Sequence, residues 1–327
     1  MKNNIKVGFV LIGRNEGGRL IDSLDSLKSY FPNVVYVDSA STDDSIKNAH
    51  YRGASVVNLD LATPFTAARA RNAGYSKLMD SFPNVEYVHF IDGDCVLVDG
   101  WMEKAIDFLS KNKDVAVVCG RRRERYPDKT IYNQMCDNEW ATKIGLTKSC
   151  GGDALFVASI FKAVNGFNES LIAGEEPELC IRIRALGHKI WRLDEEMTLH
   201  DAAIYHFTQW WKRCIRSGFA YAEGASLHGG TPEFHCVQEL RRTLLWGGVI
   251  PFFIIGLLFL NYKYALVLAS VYILQTFRLA LKLRKTNVRF IQLSILMVMV
   301  KFPETYGALK YYKNKLLGKK TKLIEYK

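Results

Sequence analysis

The sequence predicts an α/β protein whose N-terminal part is a mostly parallel sheet with helices on both faces. Two observations carry this. Short, continuous apolar runs alternate with stretches of helical spacing over the first 230 residues, and several of those runs end in polar turns rich in Asp, Ser and Gly. A third sets the limits of that part: beyond residue 230 the pattern gives way to long uncharged segments, which predict C-terminal membrane helices.

In chain order, Lys6–Ile12 reads as a buried strand and Glu16–Ser29 as a helix through Leu20, Leu24 and Leu27. Val34–Val37 is a second strand, and Ser41 or Thr42 can cap the helix that follows. Ala54–Leu59 is a third strand, Phe65–Met79 a helix, and Tyr87–Ile91 a fourth strand. Behind that strand stands Asp92-Gly93-Asp94, two carboxylates on a tight turn. In open α/β sheets, ligands bind at this edge, and paired carboxylates suit a hard cation shared with substrate phosphates. Val115–Cys119 is a further strand, followed by Arg121-Arg122-Arg123-Glu124-Arg125, read either as a solvated loop or as a seat for a lipid phosphate.

Seven scattered cysteines with no C-x-x-C pair point to reduced thiols in the cytosol, and no signal-peptide run precedes the first strand. The net charge of +11 is local. From Arg278 to Lys327 there are 13 Lys or Arg and two acids, so the rest of the chain is neutral, which speaks against a nucleic-acid partner.

Two domains are expected, 1–230 and 231–327. In the second, Thr243–Leu260 carries no charge over 18 residues, and Tyr264–Phe277 follows a short break, giving an antiparallel membrane hairpin at about 243–277. Arg278–Arg289 holds five basic residues, which the positive-inside rule places in the cytoplasm together with the N-terminal domain. Phe290–Val300 is too short to cross and reads as an interfacial helix at about 289–303, followed by a basic tail that favours anionic membrane lipids.

Five ordered motifs carry a family resemblance: Gly13-Arg14-Asn15-Glu16, Val37 to Asp43, Ala70-Arg71-Asn72-Ala73-Gly74, Asp92-Gly93-Asp94, and Gly174-Glu175-Glu176-Pro177-Glu178-Leu179. In this order the chain resembles glycosyltransferase family 2, enzymes of the GT-A fold, over about Val7 to Gly224. The resemblance implies inverting transfer of a sugar from a UDP- or GDP-sugar, with Mn2+ or Mg2+, to a lipid-linked or glycan acceptor. The setting implied is cell-surface polysaccharide or glycolipid synthesis at the plasma or inner membrane, alongside polysaccharide-assembly partners. It places Gly13, Arg14, Asn15, Glu16, Asp38, Ala40, Arg71, Asp92 and Gly93 on the donor side, with Asp38 reading the base. Asp94 is the expected metal ligand, Asp92 supports it or touches ribose, and His200 stands where similar enzymes supply a third ligand. Glu176 occupies the place of the usual catalytic Asp, one methylene longer. Gly152, Asp153 and Glu175, with Trp210, Trp211 and Arg213, are expected toward the acceptor. Asn72 and Gly74 serve binding or helix packing. Gln209-Trp210-Trp211-Lys212-Arg213 is similar to the Q-x-x-R-W motif of processive synthases but lacks the Arg-Trp order, and reads equally as an amphipathic helix on the membrane.

Two rivals are a polyprenyl-phosphate sugar synthase and a non-catalytic membrane scaffold that binds a nucleotide sugar. A dehydrogenase is disfavoured, because Gly13-Arg14-Asn15-Glu16-Gly17-Gly18 lacks the G-x-G-x-x-G spacing, and no Walker lysine motif is present.

Overall fold

The computed structural model describes residues 6–60, 62–285 and 288–319. The chain divides into two compact units, Met1–Pro127 with Cys136–Ala202, and Asp128–Met135 with Ala203–Lys327.

The first unit is built on one sheet. Its strands are β1 (Val7–Gly13), β2 (Val34–Asp38), β3 (Ser55–Asn58), β4 (Tyr87–Asp92), β5 (Cys95–Leu97), β6 (Val115–Glu124), β7 (Gly145–Thr147), β8 (Ala154–Val157) and β9 (Lys189–His200). The order is β3-β2-β1-β4-β8-β6-β9-β5, with β7 beside β9. β1 to β4 run parallel, as the alternating pattern predicts. The rest is mixed: β8 is antiparallel to β4 and β6, β5 and β7 are antiparallel to β9, and only β6 and β9 pair in parallel. The expectation of a mostly parallel sheet is thus met in one half, where helical crossovers link successive strands.

Phe9, Val10, Leu11, Val34, Val35, Val37, Val88, Phe90 and Ile91 are buried because both sheet faces are covered. The helix Ala67–Ser81 begins under a Thr66 cap, whose hydroxyl accepts from the Arg69 N–H at 3.1 Å. Gly74 lets this helix lie directly on the sheet: a Cβ there would stand 2.3 Å from Val10 Cγ1 and 2.8 Å from Val37 Cγ2. Asn72 holds Phe167 through both its amide groups, donating to the carbonyl at 2.8 Å and accepting from the N–H at 2.9 Å. Both residues therefore serve packing. The helix after β2 runs Ser45–Tyr51 with Asp44 at its cap position, later than the expected Ser41 or Thr42, which instead bond across to the loop after β1.

The second unit is helical. Phe207–His228 belongs here and not with the sheet, which moves the expected boundary at residue 230. The reason is glycine-mediated contact with the helix Lys301–Leu316. A Cβ on Gly218 would meet the Glu304 carbonyl oxygen at 1.9 Å, and one on Gly307 would meet that of Ile215 at 2.0 Å. Two such reciprocal positions fix a close crossing. Val237–Leu260 is continuous through a π-turn at Leu245–Val249, and Tyr262–Leu283 follows after Asn261. Both are long and apolar enough to cross a membrane. Phe252, Phe259, Val267 and Ile273 on them are exposed. Phe290–Met299 is the short third helix. The expected basic tail is a packed helix to Leu316, and residues 320–327 lie outside the described residues.

His89, wholly buried in β4, accepts from Trp101 Nε1 at 3.2 Å and stacks on Phe9. Burial pushes its pKa from 6.5 down to about 4, against a smaller opposing pull from Asp153. The unfolded chain therefore binds a proton that the folded one refuses, so this contribution to stability is complete above about pH 6.5 and is lost as pH falls toward 4. Urea unfolding across that window is expected to show a shallower pH slope for His89→Gln than for the parent. Equal slopes would contradict the assignment.

Candidate active site

Strand register brings the polar turns to one edge. Gly13 lies opposite Asp38, and Ile12 opposite Asp92, so the loops after β1, β2 and β4 emerge side by side. The first two are stapled together. Ser41 Oγ accepts from the Asn15 N–H at 2.9 Å, Asn15 Oδ1 from the Thr42 N–H at 2.7 Å, and Asp43 Oδ2 from the Gly17 N–H at 3.0 Å. Asn15 and Ala40 hold positive φ (55° and 65°), the left-handed geometry that tight polar turns demand. Glu16 pairs with Arg19 at 2.8 Å, and Arg14 lies over the Phe65 ring. Gly93 donates to the Ile12 carbonyl at 2.8 Å, and a Cβ there would come within 3.1 Å of that oxygen.

Asp38, 1% exposed, spends both oxygens on its own loop: Oδ1 accepts from Tyr36 Oη at 3.0 Å and Oδ2 from the Ser41 N–H at 2.7 Å. Burial, then the Asp38 charge, push the Tyr36 phenol well up, so it stays a donor. The structure gives Asp38 a loop-holding place in this state, where the sequence suggested a base reader.

Behind the turns lies a buried charge network. Arg71 donates to Asp92 Oδ1 at 2.8 Å and to Glu175 Oε1 at 2.6 Å, and faces the Phe167 ring. Arg122 meets Asp92 Oδ2 at 3.3 Å and Asp153 Oδ1 at 2.6 Å, with its guanidinium over the Trp140 ring. Burial alone would raise the Asp92 pKa, but Arg71 and Arg122 outweigh it and hold the carboxyl below its usual range. Both arginines, desolvated yet facing carboxylates, are pushed further up and remain charged. Gly152 touches this network through its backbone, since a Cβ there would fall 2.9 Å from Arg122 Nη2 and 3.0 Å from Asp92 Oδ2.

Arg122 is the member the sequence misplaced. β6 does not stop at Cys119 but runs to Glu124, so successive side chains alternate faces. Arg121 pairs with Asp194 and Arg123 with Asp137 and Glu196, while Arg122 turns inward. The arginine run is therefore strand and not a solvated loop, and each of Arg121, Arg122 and Arg123 faces a carboxylate. Asp153, expected to grip an acceptor hydroxyl, is fully buried. It accepts from Arg122, from the Asp92 N–H at 3.1 Å and from Thr198 Oγ1 at 2.7 Å, which is a structural role.

With Asp92 held by arginines, Asp94 and His200 are the residues that could hold a cation, with the buried Cys95 thiol beside them. Pairing of Cys95 with His200 in the β5–β9 ladder places them together, Oδ2 to Nε2 at 3.3 Å, both nearly buried. Bonds of about 2.1 Å put adjacent octahedral ligands about 3 Å apart, so this carboxylate–imidazole pair fits Mn2+ or Mg2+, and the imidazole favours Mn2+. Trp140 packs edge-on against the His200 ring, and Glu124 Oε2 stands 4.0 Å from Nδ1.

The helix Glu175–Ala185 starts behind Gly174 with three acids in its first turn. They part ways. Glu175 joins Arg71 and so Asp92; Glu178 is clasped by Arg182 on its own helix at 2.7 Å. Glu176 Oε1 accepts from the Cys150 N–H at 2.6 Å and from the Cys150 and Cys180 thiols, each at 2.9 Å. Among the described residues, Glu175 and not Glu176 is the acid tied to Asp92.

Trp210, Trp211 and Arg213 belong to the second unit. Trp210 is buried among Tyr132, Phe207 and Trp211 and so is packed in place of being open to a sugar. Gln209 Oε1 accepts from the Tyr205 and His206 N–H groups at 2.9 and 3.0 Å, making it part of a capping box.

The parallel β1–β4 and the D-x-D turn at their carboxyl edge give the first unit the sheet architecture of the GT-A fold. Residues 9–163 match the family model described as Glycosyl transferase family 2. That match covers 155 of the 327 residues, so this part of the chain is similar to the glycosyltransferases of family 2. Among curated proteins it is similar to the O-antigen chain rhamnosyltransferase WbaN of Salmonella anatum, 23% identical over 181 residues, 51% of this chain and 56% of that one. The match thus spans about half the length of that relative. Among solved structures it is similar to the mannosyltransferase PcManGT of Pyrobaculum calidifontis in complex with GDP-Man and Mn2+. The TM-score there is 0.59 at 16% identity, covering 95% of this chain and 88% of that one. S. aureus TarS residues 1–349 gives a TM-score of 0.47 at 13% identity, covering 96% and 92%.

Loss of either cation ligand is expected to weaken Mn2+ binding roughly tenfold or more, read by electron paramagnetic resonance of free Mn2+ with Asp94→Asn and His200→Ala. Unchanged affinity in both variants would remove the pair as the cation site.

Proposed function

We propose that the protein transfers a sugar, with inversion, from a nucleoside-diphosphate sugar to a lipid-linked or glycan acceptor in cell-surface polysaccharide or glycolipid synthesis. The observation that carries this reading is the Asp94–His200 pair beside the arginine-held Asp92, at the edge where a family 2 domain meets its donor. A divalent cation bound there would neutralise the diphosphate as it leaves. The loops carrying Gly13, Arg14, Asn15, Glu16, Ala40 and Gly93 line the same edge and form the donor side. The similar mannosyltransferase PcManGT was solved with GDP-Man and Mn2+, which supports a nucleotide sugar and a divalent ion in general terms.

Transfer with inversion needs one carboxylate to take the acceptor hydroxyl proton during in-line attack. Glu176 is assigned that role. One of its oxygens is fixed by three donors, which orients the carboxylate without ion-pairing it to a cation. Glu175 holds Arg71 and, through it, Asp92, and acts as a positioning residue. A lipid-linked acceptor fits the two apolar helices, and the basic stretch Arg278–Arg289 favours their attachment from the cytoplasmic face.

Screening the full-length protein against UDP- and GDP-sugars with Mn2+ is expected to reveal one donor. With it, Glu176→Gln should lower kcat by about a hundredfold or more while donor affinity changes little. Glu175→Gln should instead weaken donor binding or thermal stability, because Arg71 loses a partner. Normal turnover by Glu176→Gln, with loss in Glu175→Gln, would transfer the base role to Glu175. Absence of any metal-dependent donor turnover would favour a binding scaffold.

Membrane insertion has its own check. Alkaline carbonate washing should leave the protein in the bilayer fraction, and release by that treatment would reduce the helical hairpin to a peripheral one.

A further inference from the structure

Beside the first turn of the helix Glu175–Ala185, two thiols and a carboxylate converge. Cys150 Sγ and Cys180 Sγ are 3.9 Å apart, and each lies 2.9 Å from Glu176 Oε1. Glu176 and Cys180 share a helix face one turn apart, while Cys150 comes from the segment after β7. All three are buried, at 6%, 0% and 3% exposure. Cys119, on β6, is near enough that Glu176 and Cys180, after burial itself, help push its thiol up to about 12.

This spacing is chemically specific. Tetrahedral zinc with Zn–S bonds of about 2.3 Å separates two sulfur ligands by about 3.8 Å. The two thiols already stand at that separation, with a carboxylate oxygen on the same side. Three protein ligands leave one position open, the count of an accessible zinc site. The donor set is soft, so it discriminates against Mn2+ and Mg2+, which the oxygen and imidazole ligands at Asp94 and His200 suit. We propose that Cys150, Cys180 and Glu176 form a second cation site, for one thiophilic divalent ion of the Zn2+ class.

Binding breaks two S–H bonds and forms two S–metal bonds. Two protons leave to solvent, and the ionised Glu176 supplies the third ligand without proton loss. Uptake strengthens as pH rises, because binding releases two protons. Because Glu176 is a ligand, an occupied site withdraws it from proton transfer. That consequence alone rests on the base assignment given above, and Zn2+ inhibition relieved by a chelator is its sign.

Co2+ titration of the reduced full-length protein in detergent, at neutral and mildly alkaline pH, tests the site. The expected result is thiolate-to-cobalt charge-transfer absorption that saturates at one equivalent and is displaced by Zn2+. X-ray absorption of the Zn2+-loaded parent protein should show two sulfur neighbours at about 2.3 Å, a measurement that needs no variant. Cys150→Ala and Cys180→Ala should each remove one sulfur. Asp94→Asn should leave the absorption intact. So should Cys236→Ala, which removes a thiol outside the site, 3.2 Å from the His235 imidazole. No thiolate band in the parent protein, no sulfur neighbours, or a band abolished by Cys236→Ala overturns the site. If Glu176→Gln stops transfer while no thiolate band exists, the base reading stands and the second cation site falls.

Discussion

The carboxyl edge of the sheet depends on the pairing of Asp92 with two buried arginines. An unpaired ion at that depth costs several kcal/mol, so neither Arg71 nor Arg122 could be buried without the carboxylates they face. The pairing does geometric work as well. Asp92 ends β4, Arg71 lies on the helix Ala67–Ser81, Arg122 on β6, Glu175 at the start of its helix and Asp153 just before β8. Five separate pieces of chain are thus joined in one network: Arg71 and Arg122 hold the Asp92 carboxylate, and Glu175 and Asp153 hold the arginines. The Gly93-Asp94 turn leaves from that anchored point, and the position of Asp94 against His200 is inherited from it.

Much of this was legible in the sequence because it rests on local pattern. Continuous apolar runs locate β1, β2 and β4, since strands covered on both faces need no polar alternation. The turn Asp92-Gly93-Asp94 is visible because Gly sits where a Cβ would stand 3.1 Å from the Ile12 carbonyl oxygen. Arg122 was hidden because a strand that leaves the core and turns polar looks like a loop, and only the ladder with β9 reveals its alternation. Asp153 and the first-turn acids were hidden for another reason. Type and neighbours are the same for a carboxylate that binds substrate and one that neutralises an arginine, and only the partner across the fold separates them. Gln209 shows a similar ambiguity, since a motif-like glutamine served as a helix cap.

The two clusters around the sheet edge also divide by hardness. Asp94 and His200 present oxygen and imidazole, with the single Cys95 thiol beside them; Cys150, Cys180 and Glu176 present two sulfurs and one oxygen. A cation that prefers oxygen gains little from neutral, buried thiols, and a thiophilic one gains little from an aspartate whose neighbours are arginine-paired. Neighbouring clusters of unlike softness can therefore coexist in one domain without competing for the same ion.

In the second unit the same question of buried polarity has a different answer. Thr243, at the start of the apolar run, donates to Glu304 at 2.7 Å, Thr305 donates to the Thr243 carbonyl at 2.8 Å, and Lys301 pairs with Glu304 at 2.6 Å. A Cβ on Gly247 would stand 1.9 Å from the Lys301 carbonyl oxygen, so helix Lys301–Leu316 can sit against the foot of Val237–Leu260 only because that position is glycine. The side chains of Thr243, Lys301, Glu304 and Thr305 all find partners within the helix cluster, while the segment beyond it, Ile250 to Leu260, is apolar throughout. An apolar helix whose polar contacts all lie at one end has the distribution that a hydrocarbon layer selects: a satisfied cluster near the interface and bare side chains beyond.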